Sequence, residues 1–178
     1  MGLSFFNAPD LKDYINSNFA TSKKLSTFNT SADFYAELGI VLSNNYQLGF
    51  EYNLNIYSFN APIGIGLYDL SLNQHKPSLI GYYYVAGEGY KFKFGIGGGL
   101  RTVNAEEELY GSTNDYSTKG FGGLLKLEGD TKLSGNFYAL IAGEVRYDRP
   151  GELQTLSNSK IGLTSLGVGL KLGVVFYL

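Results

Sequence analysis

The stretch that decides the fold is YQLGFEYNLNI, residues 46–56, where large apolar side chains alternate with polar or small ones. Alternation with period two over this length predicts a β-strand with one apolar and one polar face. The same period recurs in five other segments, and in a sixth that is interrupted at Pro77, a residue that cannot donate a ladder hydrogen bond. In chain order these segments are 34–42, 67–85, 90–101, 121–127, 137–147 and 165–178. The chain is therefore predicted to be almost entirely β.

The composition excludes several classes of protein. The 178 residues carry a net charge of −2, without the basic excess of a nucleic-acid binder, so no nucleic-acid partner is expected. The absence of cysteine excludes disulfide scaffolds and thiolate metal sites. No apolar run reaches the ~18 residues of a membrane-spanning helix, and no signal peptide is recognisable in this chain. The length predicts one domain over residues 1–178.

The two faces of the predicted strands differ in size as well as in polarity. One face is built from Phe, Tyr, Leu, Ile and Val, and the other is glycine interspersed with Glu, Lys, Arg and Asn. A barrel of about eight strands has an interior that side chains fill, which suits the glycine-rich face. The bulky face then forms a large apolar band, which lipid accommodates and water does not. A transmembrane barrel is favoured over the alternative, a soluble calycin-like ligand carrier.

Connections of alternating length predict an up-and-down antiparallel meander. Short turn-rich connections at 43–45, 87–89 and 129–135 alternate with long polar ones at 21–30, 58–66, 104–116 and 149–159. A short helix at 9–16 is expected in the first outer loop, because Pro9 suits a first helical turn. Only residues 2–6 precede it, so the first strand is expected to be short or truncated, with Met1 not its native start. The predicted fold is an all-β, antiparallel, eight-stranded transmembrane barrel.

The last strand carries the most specific pattern in the chain. Its sequence, LGVVFYL at 172–178, alternates hydrophobic residues and places aromatic residues near the end. Together with segments 79–84 and 94–101, it resembles the small eight-stranded bacterial outer-membrane barrels of the OmpA-transmembrane-domain, OmpX and OmpW type. The resemblance covers essentially the whole chain. The chain departs from the usual terminal signal in ending on leucine, with phenylalanine two positions earlier.

The resemblance implies a location and a set of partners. It implies a porin-like monomer in the outer membrane of a Gram-negative bacterium, surrounded by outer-membrane lipids. It also implies that the barrel-assembly machinery reads the end of the chain during insertion. The assembly signal would consist of Leu172, Val174, Phe176 and Leu178.

Charged residues on the polar face are expected to meet inside the barrel. A three-residue loop at 43–45 would place Glu37 opposite Glu51, and these carboxylates need a cation or a shared proton between them. The cations expected to reach them are Lys93, Arg101, Arg146 and Lys171. The predicted interior network consists of Glu37, Glu51, Lys93, Arg101, Lys126, Glu144, Arg146 and Lys171. We expect this network to plug the barrel, and a small passive pore is the alternative.

The sequence offers little for catalysis. The single histidine, His75, lies near Ser78, but period-two parity places the two residues on opposite faces of a strand. The chain is therefore expected not to be an enzyme and to have no catalytic, cofactor-binding or metal-binding residues. A structural or surface-interaction role is expected of the long outer loops. A lipid-modifying enzyme of the outer membrane is a further alternative.

Overall fold

A computed structural model describes residues 1–19, 24–64, 66–155 and 160–178. Strands dominate this part of the chain, and the one helix within it follows the first strand. No helix in these ranges is both long and apolar enough to cross a membrane. The elements in chain order are β1 (Gly2–Asn7), α1 (Pro9–Asn18), β2 (Asn29–Ser43), β3 (Tyr46–Ile63), β4 (Gly66–Gly87), β5 (Tyr90–Leu109), β6 (Ser112–Ser134), β7 (Phe137–Arg149), β8 (Glu152–Gln154), β9 (Lys160–Gly162) and β10 (Ser165–Phe176).

Eight of the described strands form a closed antiparallel barrel, which confirms the predicted fold class. Its ring runs in chain order from β2 to β7 and is completed by β10 and β1, while β8 and β9 form a separate hairpin. Two-residue turns at 44–45, 88–89 and 135–136 lie at one end, which we call the turn end. The opposite end, which we call the loop end, carries α1 and the β8–β9 hairpin.

The predicted connections agree with the structure at some positions and differ from it at others. The segments 21–30 and 149–159 connect strands at the loop end, although 21–23 and 156–159 lie outside the described residues. The segments 58–66 and 104–116 are not long polar loops, because β3 to β6 continue through them. The segment 129–135 is likewise mostly strand, since β6 extends to Ser134.

The register between β2 and β3 places Glu37 opposite Glu51, as predicted. The turn itself has two residues rather than three, and an irregularity between Val41 and Ser43 supplies the extra residue. Because of this extra residue, inward-facing side chains on one strand remain paired with inward-facing side chains on the next.

The bulky apolar residues point outward in the half of the barrel nearer the turn end. We call the band that they form the apolar belt. Residues Phe50, Phe94, Leu125, Ile141 and Leu170 are all exposed members of it, whereas the side chains next to them in sequence face the interior. The side chains of Leu172, Val174 and Phe176 lie on the outer face of β10, and Leu178 is exposed beyond its end.

The polarity of the two faces inverts towards the loop end, and this inversion explains why the strands are longer than predicted. On β3 the inward-facing residues beyond Ile56 are Tyr57, Phe59 and Ala61, which are buried, while Ser58 faces outward. The strand therefore continues with its apolar face inside, as in a water-soluble barrel. Pro77 does not interrupt β4 either, because the pairing with β3 passes through it.

Inward-facing apolar residues at the loop end form a hydrophobic core, which we call the cap core. Helix α1 has no side-chain cap at its N-terminus and only ten residues, so packing into this core is what holds it. At the end of the helix, Phe19 stacks on Tyr68 with ring centroids 4.1 Å apart. The buried residues of the cap core are Phe6, Ala8, Leu11, Tyr14, Ile15, Phe19, Leu25, Tyr57, Phe59, Ala61, Tyr68, Leu70, Leu72, Val103, Ala105, Leu153, Ile161 and Leu163.

A tyrosine of the cap core is hydrogen-bonded to a buried glutamate. Tyr68 donates a hydrogen bond of 2.7 Å from its hydroxyl to Glu107 Oε1. Burial, together with this neighbouring carboxylate, raises the pKa of the Tyr68 hydroxyl above its usual range, so the hydroxyl keeps its proton and remains a donor.

Strand β1 is short, as predicted, and closes only part of the wall. It pairs with β10 between Lys171 and Leu166 and with β2 between Asp33 and Asn29. Towards the turn end, no described strand pairs with the facing edges of β2 and β10. We call this gap, bounded by residues 35–38 and 173–176, the seam slot.

Candidate functional site: the charged interior

The centre of the candidate site is a pair of glutamates held by one lysine. Lys126 Nζ lies 2.7 Å from Glu37 Oε2 and 3.0 Å from Glu51 Oε2. Glu51 is 0% exposed and Lys126 is 1% exposed, so these charges have almost no contact with solvent. Lys126 comes from β6, whereas the glutamates come from β2 and β3, so the contact spans the lumen.

Glu51 also binds two cations from the other side of the barrel. Arg146 Nη2 donates to Glu51 Oε1, and Lys171 Nζ lies 3.4 Å from Glu51 Oε2. Both cations are shared with Glu144, at 2.5 Å from Arg146 Nε and 2.8 Å from Lys171 Nζ. Glu51 therefore joins β3 to β6, β7 and β10 through three ion pairs, which fixes the strands relative to one another.

A second group of charges extends the centre towards the turn end. Lys93 binds Glu128, and its Nζ lies 3.3 Å from Asp130 Oδ2. Lys126 connects this group to the central glutamates, because its Nζ lies 3.2 Å from Glu128 Oε2. Tyr177 also donates a hydrogen bond to Asp130, so the residue that follows β10 contributes to the same group.

A third group is separate and lies nearer the loop end. Arg101 donates to Asp148, whose other carboxylate oxygen lies 3.0 Å from Lys76 Nζ. Arg101 Nη1 also donates to Ser78 Oγ at 3.1 Å. A cavity of about 10 Å³ is lined by Lys76 and Asp148 of this group, by Arg146 of the central group and by Phe6 of the cap core. That volume holds about one water molecule.

The structure brings together seven of the eight residues predicted to form the network. Two details differ: the cation that bridges Glu37 and Glu51 is Lys126, and Arg101 belongs to the separate group with Asp148. The prediction missed four members of the interior groups. They are Lys76, Glu128, Asp130 and Asp148. Strand parity assigns all four to the inner face once β6 and β7 are extended past Leu127 and Tyr147 and β4 is taken as unbroken at Pro77.

Inward-facing glycines make room for the charged side chains. A Cβ added at Gly122 would lie 2.2 Å from Asp148 Oδ1 and 2.6 Å from Arg101 Nε. A Cβ added at Gly49 would lie 2.9 Å from both Glu37 Oε1 and the Tyr82 ring. Any larger residue at these two positions would displace an ion pair. The charged side chains therefore fit inside the barrel only because glycines face them.

The pair considered for catalysis does not come together. Ser78 is buried inside the barrel, whereas His75 lies on the outer face. His75 Nδ1 is 2.6 Å from the hydroxyl of Tyr52, its neighbour on that face. Within the described ranges, no group of three or more histidine and acidic side chains is placed to hold a metal ion.

Comparisons with known proteins bear on the fold. No family model matches the sequence, and no curated protein matches it significantly. Among solved structures, the barrel is similar to the outer membrane protease OmpT of Escherichia coli, with a TM-score of 0.50 and 12% sequence identity over 85% of this chain. The chain spans 64% of the length of that protease.

Two smaller barrels are also similar over nearly their whole length. They are neisserial surface protein A, at 16% identity and a TM-score of 0.47, and the N-terminal β-barrel domain of Pseudomonas aeruginosa OprF, at 13% and 0.41. The alignments cover 96% of this chain and 93% of the first, and 95% of this chain and 94% of the second. On the likeness to OmpT, this chain has the fold of an outer-membrane β-barrel.

Proposed function

We propose that this chain is an outer-membrane β-barrel protein with a closed interior, whose role is structural or is exerted through contacts at its outer surface. The observation that carries the proposal is the binding of Glu51 by cations from three other strands, because this arrangement fills the lumen with paired charge. The cap core adds a second, apolar closure at the loop end.

The apolar belt supports the membrane location. It surrounds the barrel at the depth of the interior charges, and a belt of this kind requires lipid around it. In this proposal the turn end faces the periplasm and the loop end faces outward, the usual placement of short turns and longer loops. Outer-membrane lipids then surround a monomer, and the assembly machinery reads Leu172, Val174, Phe176 and Leu178.

The proposed role is not enzymatic, although one similar barrel is a protease. The positions of His75 and Ser78 on opposite sides of the wall support this, since a nucleophile and its base must be within hydrogen-bond reach. The interior carboxylates of the central group are each bound to cations, which leaves them poorly suited to transfer protons.

The location is tested by fractionation and gel mobility. The protein should remain with membranes after extraction with urea. It should also migrate differently on gels before and after heating, because a folded barrel resists detergent until it is heated. Protease added to intact cells should cut only at the loop end. A protein that is released by urea and shows no heat-dependent mobility would contradict the proposal.

A small passive pore is the second candidate, and one observation favours it. Arg101 Nη2 and Arg146 Nη1 are buried and have no hydrogen-bond partner among the described residues. Each guanidinium thus has a donor free to hold a water molecule or to exchange carboxylates. Conductance across planar bilayers distinguishes the two functions: the closed barrel gives none, and steady single-channel steps would establish the pore instead.

A further inference from the structure

Two cations lie on the outer face of the barrel, just beyond the loop-end edge of the apolar belt. Lys119 is two residues beyond the exposed Phe121 on β6, and Arg149 is two residues beyond the exposed Tyr147 on β7. Both cations are exposed, and Phe121 is paired directly with Arg149. Lys119 is therefore the diagonal neighbour of Arg149, about 7–8 Å away between Cα atoms. One anionic group can bind both side chains at the same time.

The charges on the outer face are ordered by sign along the strands. Within the described ranges, neither Lys119 nor Arg149 has a carboxylate within ion-pair distance. The first outward-facing carboxylates beyond the belt on β5 and β6 are Glu106 and Asp115, which lie six residues past the last belt residue of their strands. Positive charge thus lies beside the belt and negative charge lies farther out. This order fits a layer of negative charge at the edge of the belt, such as the phosphates of a lipid leaflet.

An apolar groove lies below these cations on the lipid-facing side of the wall. Its volume is about 650 Å³, and it surrounds Gly143 of β7, where an added Cβ would meet no atom within 4 Å. Leu127 and Leu170 are paired with Gly143 on the two neighbouring strands and form the sides of the groove. The belt therefore has room here for an apolar group that the protein does not supply.

The distance between the cations and the groove matches the depth of one lipid leaflet. Arg149 and Gly143 are six residues apart on β7. This separation is about 20 Å along the strand and about 15 Å in depth for a strand tilted by about 40°. The hydrocarbon core of a bilayer is about 30 Å thick, so one leaflet is about 15 Å deep. An acyl chain whose phosphate lies at Arg149 therefore reaches the groove at its far end.

We propose that Lys119, Arg149 and the groove at Gly143 form a binding site for one anionic phospholipid in the leaflet at the loop end. The phosphate lies between the two cations, where the Arg149 guanidinium can bind two of its oxygens. One acyl chain follows the outer face of β7 past Tyr147 and enters the groove. The inference rests on the proposed membrane location and adds to it a lipid preference on one flank of the barrel.

Fluorescence quenching tests the preference for the headgroup. The chain has no tryptophan, so Tyr147→Trp places a single reporter beside the site, and Phe50→Trp places one on the opposite side of the ring. Each variant is reconstituted into phosphatidylcholine vesicles that contain either dibrominated phosphatidylglycerol or dibrominated phosphatidylcholine. We expect the Tyr147→Trp reporter to show a preference of about tenfold for phosphatidylglycerol, because two cations attract its net negative charge. Both lipids should quench the Phe50→Trp reporter equally.

The contribution of the cations is tested in the same assay. Adding Lys119→Gln and Arg149→Gln to the Tyr147→Trp reporter should remove the preference. The matched control replaces Lys132 and Lys160 by glutamine, which removes the same charge from two exposed lysines elsewhere. This control should keep the preference of the parent reporter.

The contribution of the groove is tested with the otherwise unsubstituted chain in detergent. Native mass spectrometry measures the Kd of added phosphatidylglycerol. Gly143→Leu fills the groove and should raise this Kd by about threefold or more, since the acyl chain loses its apolar contacts. Gly81→Leu, on the outer face of β4, is the control, because its added Cβ would lie no closer than 3.9 Å to another atom. It should leave the Kd unchanged.

The results that would overturn the proposal are distinct. Quenching of both reporters without a preference at the Tyr147→Trp reporter would overturn the lipid site alone. Quenching of neither reporter would overturn the membrane location and the lipid site with it. An equal loss of preference in the two glutamine pairs, or an equal effect of Gly143→Leu and Gly81→Leu, would also contradict the site.

Discussion

Lys126 is the side chain on which the most interior carboxylates depend, since its ammonium group binds Glu37, Glu51 and Glu128. Glu51 also binds Arg146 and Lys171, and Glu128 also binds Lys93, whereas Glu37 forms an ion pair with Lys126 alone among the described residues. The balance of charge inside the barrel is therefore most sensitive at this lysine.

We expect Lys126→Met to lower the free energy of unfolding by about 3–5 kcal/mol, because it leaves buried carboxylates short of a cation. Urea unfolding in lipid vesicles measures this loss. Adding Glu37→Gln should recover part of it, since the glutamine carries no charge. The matched control is Lys119→Met on the same strand, where the lysine is exposed. Equal losses at the two lysines, or no recovery in the double variant, would contradict the network.

Strand parity was sufficient to predict which charged residues face the interior, but not which of them pair. Parity depends only on the period of a strand, so Glu37, Glu51 and Lys126 could be assigned to one face from the sequence. Pairing across the lumen depends on the height of each residue, which the tilt and stagger of the strands set. The sequence therefore predicts Arg101 in the same group as Glu51, whereas its height in the barrel places it beside Asp148.

At the scale of the elements, the inversion of polarity along β3 divides the strand into a segment suited to lipid and a segment suited to water. The alternation in the sequence predicts this strand only as far as Ile56. Beyond Ile56 the large residues move from the even-numbered to the odd-numbered positions, and a strand with a single apolar face does not predict that change. The contacts that stabilise this second segment come from α1 and the β8–β9 hairpin, which are distant in sequence.

Because the strands are divided in this way, an arginine on the outer face should destabilise the barrel in the apolar belt but hardly at all near the loop end. Leu170→Arg, in the apolar belt, should cost about 2–4 kcal/mol near the midplane of the bilayer. Ser58→Arg, on the outer face near the loop end, should cost little, because Ser58 is exposed and lies beyond the apolar belt. Refolding into lipid vesicles at increasing urea concentrations measures both. Equal folding of the two variants would show that the belt has been placed wrongly.

Helix α1 should be separable from the barrel wall. Ile15 is 0% exposed in the cap core, so Ile15→Asp places a charge where no solvent reaches. We expect the helix to detach, which limited proteolysis detects as new cleavage within residues 9–18. The ring of strands should persist, with its heat-dependent gel mobility unchanged. Loss of that mobility would mean that the cap core is required for the barrel itself. Lys12→Asp, at a less buried position of the same helix, is the control.

At the scale of the whole molecule, the lumen is closed twice along its length, by the charged network at the depth of the apolar belt and by the cap core at the loop end. Removing either closure alone should therefore leave planar bilayers non-conducting. Combining Ile15→Asp with Lys126→Met and Glu37→Gln should open a conductance, provided that heat-dependent mobility shows a folded barrel. Conductance in either parent variant would show that one of the two closures does not block the lumen.

The unequal lengths of the barrel strands give the protein a tall side and a low side. Strands β4, β5 and β6 have 22, 20 and 23 residues, whereas β7 and β10 have 13 and 12. The difference of roughly ten residues raises one flank by about 25 Å for strands tilted at about 40°. An antibody that approaches the folded protein from outside therefore meets the flat flank of a sheet, whose epitope joins residues from three strands in fixed register. Peptides copied from the sequence would not reproduce that epitope, so sera raised against them should bind the denatured protein in preference to the native one.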